Sequence, residues 1–590
     1  MSDQKNLILA VVLSVVILMM WDFMYRSPTV DDLVPPPTPG EQVTPGQQSA
    51  APQAPVAASG GSAPTAPGTS ASAPMTPGTT AIKDESPRLR IEAQRIQGSL
   101  RLRGARLDDL LLTDYLNTLD PDSGDIVLLS PAETLNAYYA EFGWAVGAGT
   151  EMPVPGTTTL WQANGDVLVP GAPITLEWDN GQGLLFQRTI SVDEDYLISV
   201  SQRVSNRSTV PVTLHPYGLV SRSNPPNTLG FFILHEGPIG VLNDELKEVD
   251  YDDLQDDGRQ TVQSTGGWLG ITDKYWLTAL IPDQAEAIDT SFNHSVIDDG
   301  ERYQVDFLGA ARVIPAGGVV EVINRLFAGA KEVHLLDKYT ETRDIPRFDL
   351  AVDFGWFYFL TKPIFYVLDY LNRVLGNFGL AILLFTVIIR ILFYPLANKS
   401  FRAMHAMRKL QPEMTKMREQ YSEDRQRLHK EMMELYKREK VNPMAGCLPI
   451  AMQIPVFFAL YKVLFVTIEM RHTPFYGWIQ DLSAPDPTSL FNLFGLIPWD
   501  PPMFLHIGIW PLMMGVSMFL QQKINPQPVD PMQAKIFLAL PVVFTFVLAN
   551  FPAGLVIYWT WNNMLSMAQQ WTIYKRAGIT KQPAQPAKRT

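Results

Sequence analysis

Long apolar runs dominate the last 240 residues of this 590-residue chain and limit what it can become. They lie near 377–397, 447–468, 507–522, 536–550 and 552–573. A further one, "LILAVVLSVVILMMWDFMY", occupies 7–25. A helix rises about 1.5 Å per residue, so about 20 apolar residues cross the hydrocarbon core of a bilayer. Six membrane spans are therefore predicted. Runs 507–522 and 536–550 reach only about 22–24 Å as helices, short of the roughly 30 Å core, so local membrane thinning is expected around them. The rival reading of the first run is a cleaved signal peptide. Such peptides have shorter apolar regions followed at once by small residues. Here Trp21, Asp22, Phe23, Tyr25 and Arg26 follow, which favours an uncleaved anchor over 1–26.

Charge gives the orientation. Residues 396–446 hold twelve Lys/Arg against seven Asp/Glu, and the tail after Trp571 holds five Lys/Arg and no acid. The loop at 469–506 has one positive residue, Arg471. A cytoplasmic N-terminus puts both basic segments in the cytoplasm, as the positive-inside rule requires. The membrane explains these segments more simply than nucleic acid, and no nucleic-acid sequence recognition is expected. Both termini are thus read as cytoplasmic in a multi-pass inner-membrane protein.

The remainder of the chain is of another kind. Residues 27–84 are rich in Pro, Ala, Gly, Ser and Thr and form a tether with too few large apolar groups for a core. Residues 85–348 show period-two runs such as "YLISVSQRVS" (196–205), "VPVTLHPYGLVSR" (210–222) and "GWLGITDKYWLTALIP" (267–282), separated by turn residues. The pattern predicts a large antiparallel β-sandwich. It is acidic, with eight acids and one lysine in "DELKEVDYDDLQDD" (244–257), and it falls outside the inner membrane, in the periplasm of a two-membrane bacterium. The single cysteine, Cys447, excludes an intrachain disulfide or a zinc cluster. His215, His235, His294 and His334 show no ligand spacing, so no catalytic residue, metal or cofactor is predicted.

Between the two halves, 349–375 is expected to be an amphipathic helix lying along the membrane. Its stripe is Trp356, Leu360, Ile364, Val367, Leu368 and Leu371, with Lys362, Asp369 and Arg373 away from much of it. The core follows at 376–574, with a hairpin at 399–440 and a basic tail at 575–590. The hairpin carries a methionine-rich seam, Met404, Met407, Met414, Met417 and Met432, turning at "YSED" (421–424). Methionine stripes are usually core, yet methionine also adapts to varied apolar partners.

Arg390 stands inside "LLFTVIIRILFYP" (383–395). Snorkelling to the cytoplasmic surface is one account. Helical side chains lean toward the N-terminus, however, which is here the opposite side. Thr386 lies one turn earlier on the same face, which points to a polar face turned into a bundle or a wet cavity. Asp and Glu are absent from the spans, apart from Glu469 at the outer end of the third. A lone positive charge then implies that its counter-charge arrives with a ligand. Gln453 and the stripe Tyr558, Asn562, Ser566 and Gln569 either make ordinary interhelical hydrogen bonds or share a groove with Arg390.

"FTVIIRILFYPL", "AMRKLQPEMTKMRE", "YKREKVNPMAGCLPIAMQIPVFFALY" and "FPAGLVIYWTWNN", in that order, resemble the YidC family of membrane protein insertases. The anchor, the β-domain and "GGWLGITDKYWLTALIP" resemble its Gram-negative branch. The resemblance implies a non-enzymatic insertase and chaperone with five core spans around a positively charged hydrophilic groove. It also implies a periplasmic β-supersandwich like that of sugar mutarotases but without the activity. It matches Arg390, with Thr386 beside it, and Gln453 to the groove. Where the family often has two aromatic hydroxyls, this chain has Tyr558 and Trp559, the second without a phenol. The implied partners are nascent membrane proteins, membrane lipids, the Sec translocon, the ribosome and the signal-recognition-particle receptor. A small-solute transporter would predict inverted repeats or further buried charges, and neither is seen. A tethered β-sandwich enzyme or lectin would carry its activity in the β-domain alone.

Overall fold

The computed structural model describes residues 86–576, apart from 148–151, most of 226–233, 298–299, 422–423, 440, 442–447, 526–530 and several positions in 494–505. The expected anchor at 1–26, the tether at 27–84 and nearly all of the tail at 575–590 lie outside the described residues.

Residues 88–330 form one eleven-stranded and one nine-stranded sheet. Strand Leu184–Val192 shows how the sequence builds them. Leu184, Phe186, Ile190 and Val192 alternate inward, and Leu197–Asn206 pairs beside it in antiparallel register, Val200 opposite Ile190. That alternation is what a sheet with one buried face demands. "GWLGITDKYWLTALIP" becomes the hairpin Trp268–Thr272 and Trp276–Ile281. The pairing is antiparallel except where Arg90 and Ile91 run parallel to Val167 and Leu168. A short helix, α1 (Tyr251–Asp257), lies within the acidic stretch.

The helical half comprises α2 (Val333–Thr342), α3 (Tyr358–Leu375), α4 (Phe378–Leu392), α5 (Tyr394–Gln420), α6 (Arg425–Arg438), α7 (Leu448–Val466), α8 (Ile509–Ile524), α9 (Pro531–Val547) and α10 (Ala553–Arg576). Among the described residues no single helix is long and apolar enough to cross a membrane. Phe378–Leu392 with Tyr394–Met407 passes that test as a pair bent by 67°, and Gln453–Val466 and Lys535–Asn550 are shorter apolar helices. Pro395 starts α5, while α7 and α9 run on through Pro455 and Pro541. The run expected at 377–397 breaks at Phe393, so the hairpin begins at Tyr394 rather than 399. α5 ends at Gln420 and α6 begins at Arg425, with Asp424 accepting the Arg427 N–H at 3.0 Å to cap α6.

α3 departs from its expected pattern. It buries Ile364, Phe365, Leu368 and Leu371, while Trp356, just before it, and Phe359, Val367, Tyr370 and Val374 on it are exposed. Its polar residues grip the β-domain's terminal segment. Lys362 lies 2.8 Å from Asp337 and 2.7 Å from Asp349, and Asp369 is buried, 2.9 Å from His334 and 2.6 Å from Arg373. Gly376 ends α3 at φ 69°, a left-handed conformation that costs glycine little.

The same junction holds the outer end of α7. Lys462 pairs with Asp353 at 2.8 Å, and Lys274 lies 3.9 Å from the centre of the Phe465 ring. Arg471 donates to the carbonyl oxygens of Leu116 and Asn117 at 2.7 and 3.1 Å. Glu469 accepts the Val333 N–H at 2.9 Å with Oε1, while Oε2 is buried without a partner. Burial, reinforced by the carboxylates of Glu332 and Asp369, pushes the Glu469 carboxyl up to about 8. Its folded pKa exceeds the unfolded value of about 4.3, so the stability it contributes is present below that pH and is lost as pH rises through about 8. Purified protein in detergent should therefore lose thermal stability between pH 5 and 8.5. Glu469→Gln, which keeps the acceptor without a titration, should lose less. Equal losses would show that Glu469 does not titrate in this window.

Candidate functional site

Arg390 is the last basic group on α4, less than one turn before the chain breaks at Phe393. It points between α7 and α10. Its Nε donates to Asn562 Oδ1 at 2.9 Å, a terminal nitrogen donates to the same oxygen, and that nitrogen also reaches the Asn562 carbonyl oxygen at 3.1 Å. Gln453 Oε1 stands 3.5 Å away, at the outer limit of a hydrogen bond. Among the described residues, the acceptors of Arg390 are thus amide and carbonyl oxygens. The guanidinium is solvated by neutral dipoles instead of by a carboxylate.

Around it lies a cavity lined by Thr386, Arg390, Gln453, Tyr558, Asn562 and Gln569 on its polar side, and by Phe385, Ile389, Phe393, Leu396, Ala397 and Val456 on its apolar side. It leaves about 30 Å³ for the centres of water molecules, room for about two waters.

The sequence-predicted residues separate into two groups. Arg390, Thr386, Gln453, Tyr558 and Asn562 line the one cavity. Ser566 is buried outside the lining. Trp559 points elsewhere: its ring packs edge-on to Phe457 at 4.8 Å and near Phe544 at 5.6 Å, in a cluster with Met514, Leu548 and Val556. Consecutive helical residues lie about 100° apart, so Tyr558 and Trp559 face different neighbours. Thr386 does not bond to Arg390. Its hydroxyl donates to the Ile382 carbonyl at 2.6 Å, the usual choice of a helical threonine. Sequence reasoning missed Trp561, whose Nε1 donates to the Leu383 carbonyl at 3.2 Å and ties α10 to α4. It also missed Asn563, which donates to Ser517 at 2.9 Å and ties α10 to α8. An indole or an amide among apolar neighbours signals a partner, but not which one.

The methionines of the hairpin also divide. Met414 is buried between α5 and α6 with Leu410 and Leu435, and Met417 and Met432 pack against that seam. Met404 packs at the root of the hairpin on Ala397, Phe401 and Ile573. Met407 belongs to neither cluster, and the exposed methionine is Met433.

A β-sandwich joined to apolar helices, one of which presents a half-buried arginine solvated by amides, defines a membrane-associated protein whose polar site lies among its helices. Comparison with known proteins narrows this class. Residues 88–367 match the YidC periplasmic domain, and 370–581 match the 60Kd inner membrane protein family. Membrane protein insertases YidC of Methylobacterium sp. (strain 4-46) and Rhizobium meliloti (strain 1021) are each 48% identical to this chain. They match over 98% of it and over 96% and 97% of their own lengths. A crystal structure of an active YidC insertase with its first transmembrane domain resolved is 17% identical, with TM-score 0.34 over 82% of this chain and 94% of that one. The chain belongs to the YidC family of membrane protein insertases: it is a non-enzymatic insertase with a periplasmic β-domain and a helical C-terminal half.

The Arg390–Asn562 pair is open to direct measurement. Asn562→Leu strips the guanidinium of its side-chain acceptor and should cost about 1–3 kcal/mol in unfolding experiments in detergent. Adding Arg390→Leu should recover most of that loss, because the orphaned charge goes too. Additive losses in the cycle would mean that the pair is not coupled.

Proposed function

We propose that the cavity beside Arg390 receives the polar, acidic tail of a membrane protein on its way across the bilayer. The single observation carrying this reading is that Arg390 is held by neutral acceptors. Bonds to a charged acceptor are roughly twice as strong as bonds to a neutral one, so an arriving carboxylate displaces Asn562. An isolated acid at the bilayer centre costs about 3 kcal/mol on insertion scales. Pairing with a cation about 4 Å away returns about 4 kcal/mol at an effective dielectric of 20. One arginine therefore offsets about one acid. Thr386, Gln453, Tyr558 and Asn562 supply the remaining polar wall, while Trp559 and Ser566 support the helices around it.

In this reading both termini are cytoplasmic, the β-domain is periplasmic and six segments cross the inner membrane, some of them short or bent. The charge asymmetry of 396–446 and the tail against 469–506 supports that orientation. The exposed aromatic stripe of α3 lies along the outer boundary. The basic hairpin meets substrate first, with Met433 more available than the buried Met414. The segment then leaves sideways into lipid, driven by its own apolar burial. Ribosome, signal-recognition-particle receptor and Sec translocon contacts fit the basic cytoplasmic face and the lateral exit.

In reconstituted vesicles, Arg390→Ala should reduce insertion of substrates with acidic translocated tails about tenfold or more, and Arg390→Lys should reduce it less. Lysine keeps the charge but not the planar fork. Equal insertion by all three proteins would remove the essential charge from the reading. Photocrosslinkers at Thr386 and Tyr558 should capture a nascent chain, and one at Met433 should capture it more strongly than one at Met414. A stronger signal from Met414 would mean that the hairpin opens to bind.

A further inference from the structure

The segment between α7 and α8 is more tightly built than a loop needs to be. At its centre Asp486 is buried and accepts from Trp478 Nε1 at 3.1 Å, from the Thr488 backbone N–H at 3.0 Å and hydroxyl at 2.7 Å, and from the Trp510 N–H of α8 at 2.9 Å. Gly508 lies so close to Asp486 that a Cβ there would stand 2.4 Å from its carboxyl carbon. The carbonyl oxygens of Leu482 and Ala484 accept the Gly554 and Ala553 N–H groups that open α10, at 3.0 and 2.7 Å. Asn377, the cap of α4, donates to the Pro474 carbonyl at 3.1 Å.

That scaffold holds apolar side chains outward. Tyr476, Trp478, Leu490, Phe491 and Leu493 are exposed, Tyr476 by 61% and Leu493 by 50%. From 474 to 493 the chain has no Lys, Arg or His, and its two acids, Asp481 and Asp486, are spent on bonds inside the segment and to α8. The patch continues apolar surface on two sides. Through Asn377 it adjoins the end of α3, where Tyr370 and Val374 are exposed. Through the Leu490 N–H, 2.9 Å from the Ile507 carbonyl, it adjoins α8, which exposes Met513, Val516 and Leu520.

We propose that this face of 474–493 is immersed in the acyl–headgroup boundary of the outer leaflet. The inference rests on the reading that α8 spans the membrane. Trp and Tyr rings favour that depth, and an uncharged apolar surface between two lipid-facing stripes has lipid as its natural cover. With 16 residues α8 reaches about 24 Å, about 6 Å less than the hydrocarbon core. The immersed segment supplies apolar surface at the outer end of that short helix, which leaves the thinning on the cytoplasmic side.

The test uses the full chain with Cys447→Ser, reconstituted in phosphatidylethanolamine–phosphatidylglycerol vesicles. Spin labels are placed singly at Tyr476→Cys, Leu493→Cys, Val516→Cys on α8 and Val313→Cys on the β-domain. Collision rates with oxygen and with a water-soluble nickel chelate report depth. The expected result is an oxygen-to-nickel ratio at 476 and 493 several-fold above that at 313 and close to that at 516. A ratio at 476 and 493 matching 313, with 516 still lipid-like, would overturn the proposal and leave the span intact. Labels shielded from both probes would mean that protein covers the patch, which also overturns it. An aqueous ratio at 516 would bring down the span itself, and the proposal with it.

Discussion

A guanidinium cannot stay among apolar helices without donors finding acceptors, and that requirement organises the core of this protein. Arg390 on α4 reaches Asn562 on α10 and approaches Gln453 on α7, so one charge sets the spacing of three helices. Trp561 reinforces the α4–α10 contact through the Leu383 carbonyl, half a helix away. Just beyond Arg390 the helix breaks. Pro395 needs no hydrogen-bond acceptor for its nitrogen, so a new helix starts there cheaply, turned by 67°. The bend carries the hairpin away from the axis of α4. The polar side of the cavity is thereby left without a long apolar helix continuing over it.

The β-domain closes the opposite end. It meets α7 through Lys462, Phe465, Glu469 and Arg471 and meets α3 through Lys362 and Asp369. These contacts are charged or buried polar, so they are directional where apolar packing alone would slide. α7 also carries Gln453, so the helix held at this junction supplies one wall of the cavity. The β-domain's apolar core, built from the alternating strands of two large sheets, runs on into that of the helices in one cluster that reaches Phe365, Leu460 and Tyr558.

Much of this was legible in the chain. Period-two strands, the Asp424 turn and the polar stripe on the last helix follow from local periodicity, which one sequence displays fully. Partners across the fold do not. Arg390 and Asn562 are 172 residues apart, and only the stripe hinted that they meet. The sequence places Lys362 and Asp369 only away from much of the apolar stripe of α3. They are in fact where that helix grips the β-domain, because Asp337 and His334 come from a neighbouring element. Thr386 lines the cavity with Arg390, but its hydroxyl donates to a carbonyl within its own helix. Trp559 entered through likeness to relatives, and the 100° step of a helix carries it off the face of Tyr558.

Under the proposed function, the neutrality of Arg390's partners sets how the site would turn over. Removing one member of a buried ion pair typically costs about 3–5 kcal/mol, so a resident carboxylate would make every entry of substrate slow. An amide costs about 1–3 kcal/mol to leave, and the incoming acid more than replaces it. In the same proposed cycle Asn562, carried on α10, takes up the bond again when the substrate departs into lipid. Strong binding would trap the tail in the groove. On that reading a weak resting partner lets the arginine exchange acceptors in both directions, which is what passage, as opposed to capture, requires.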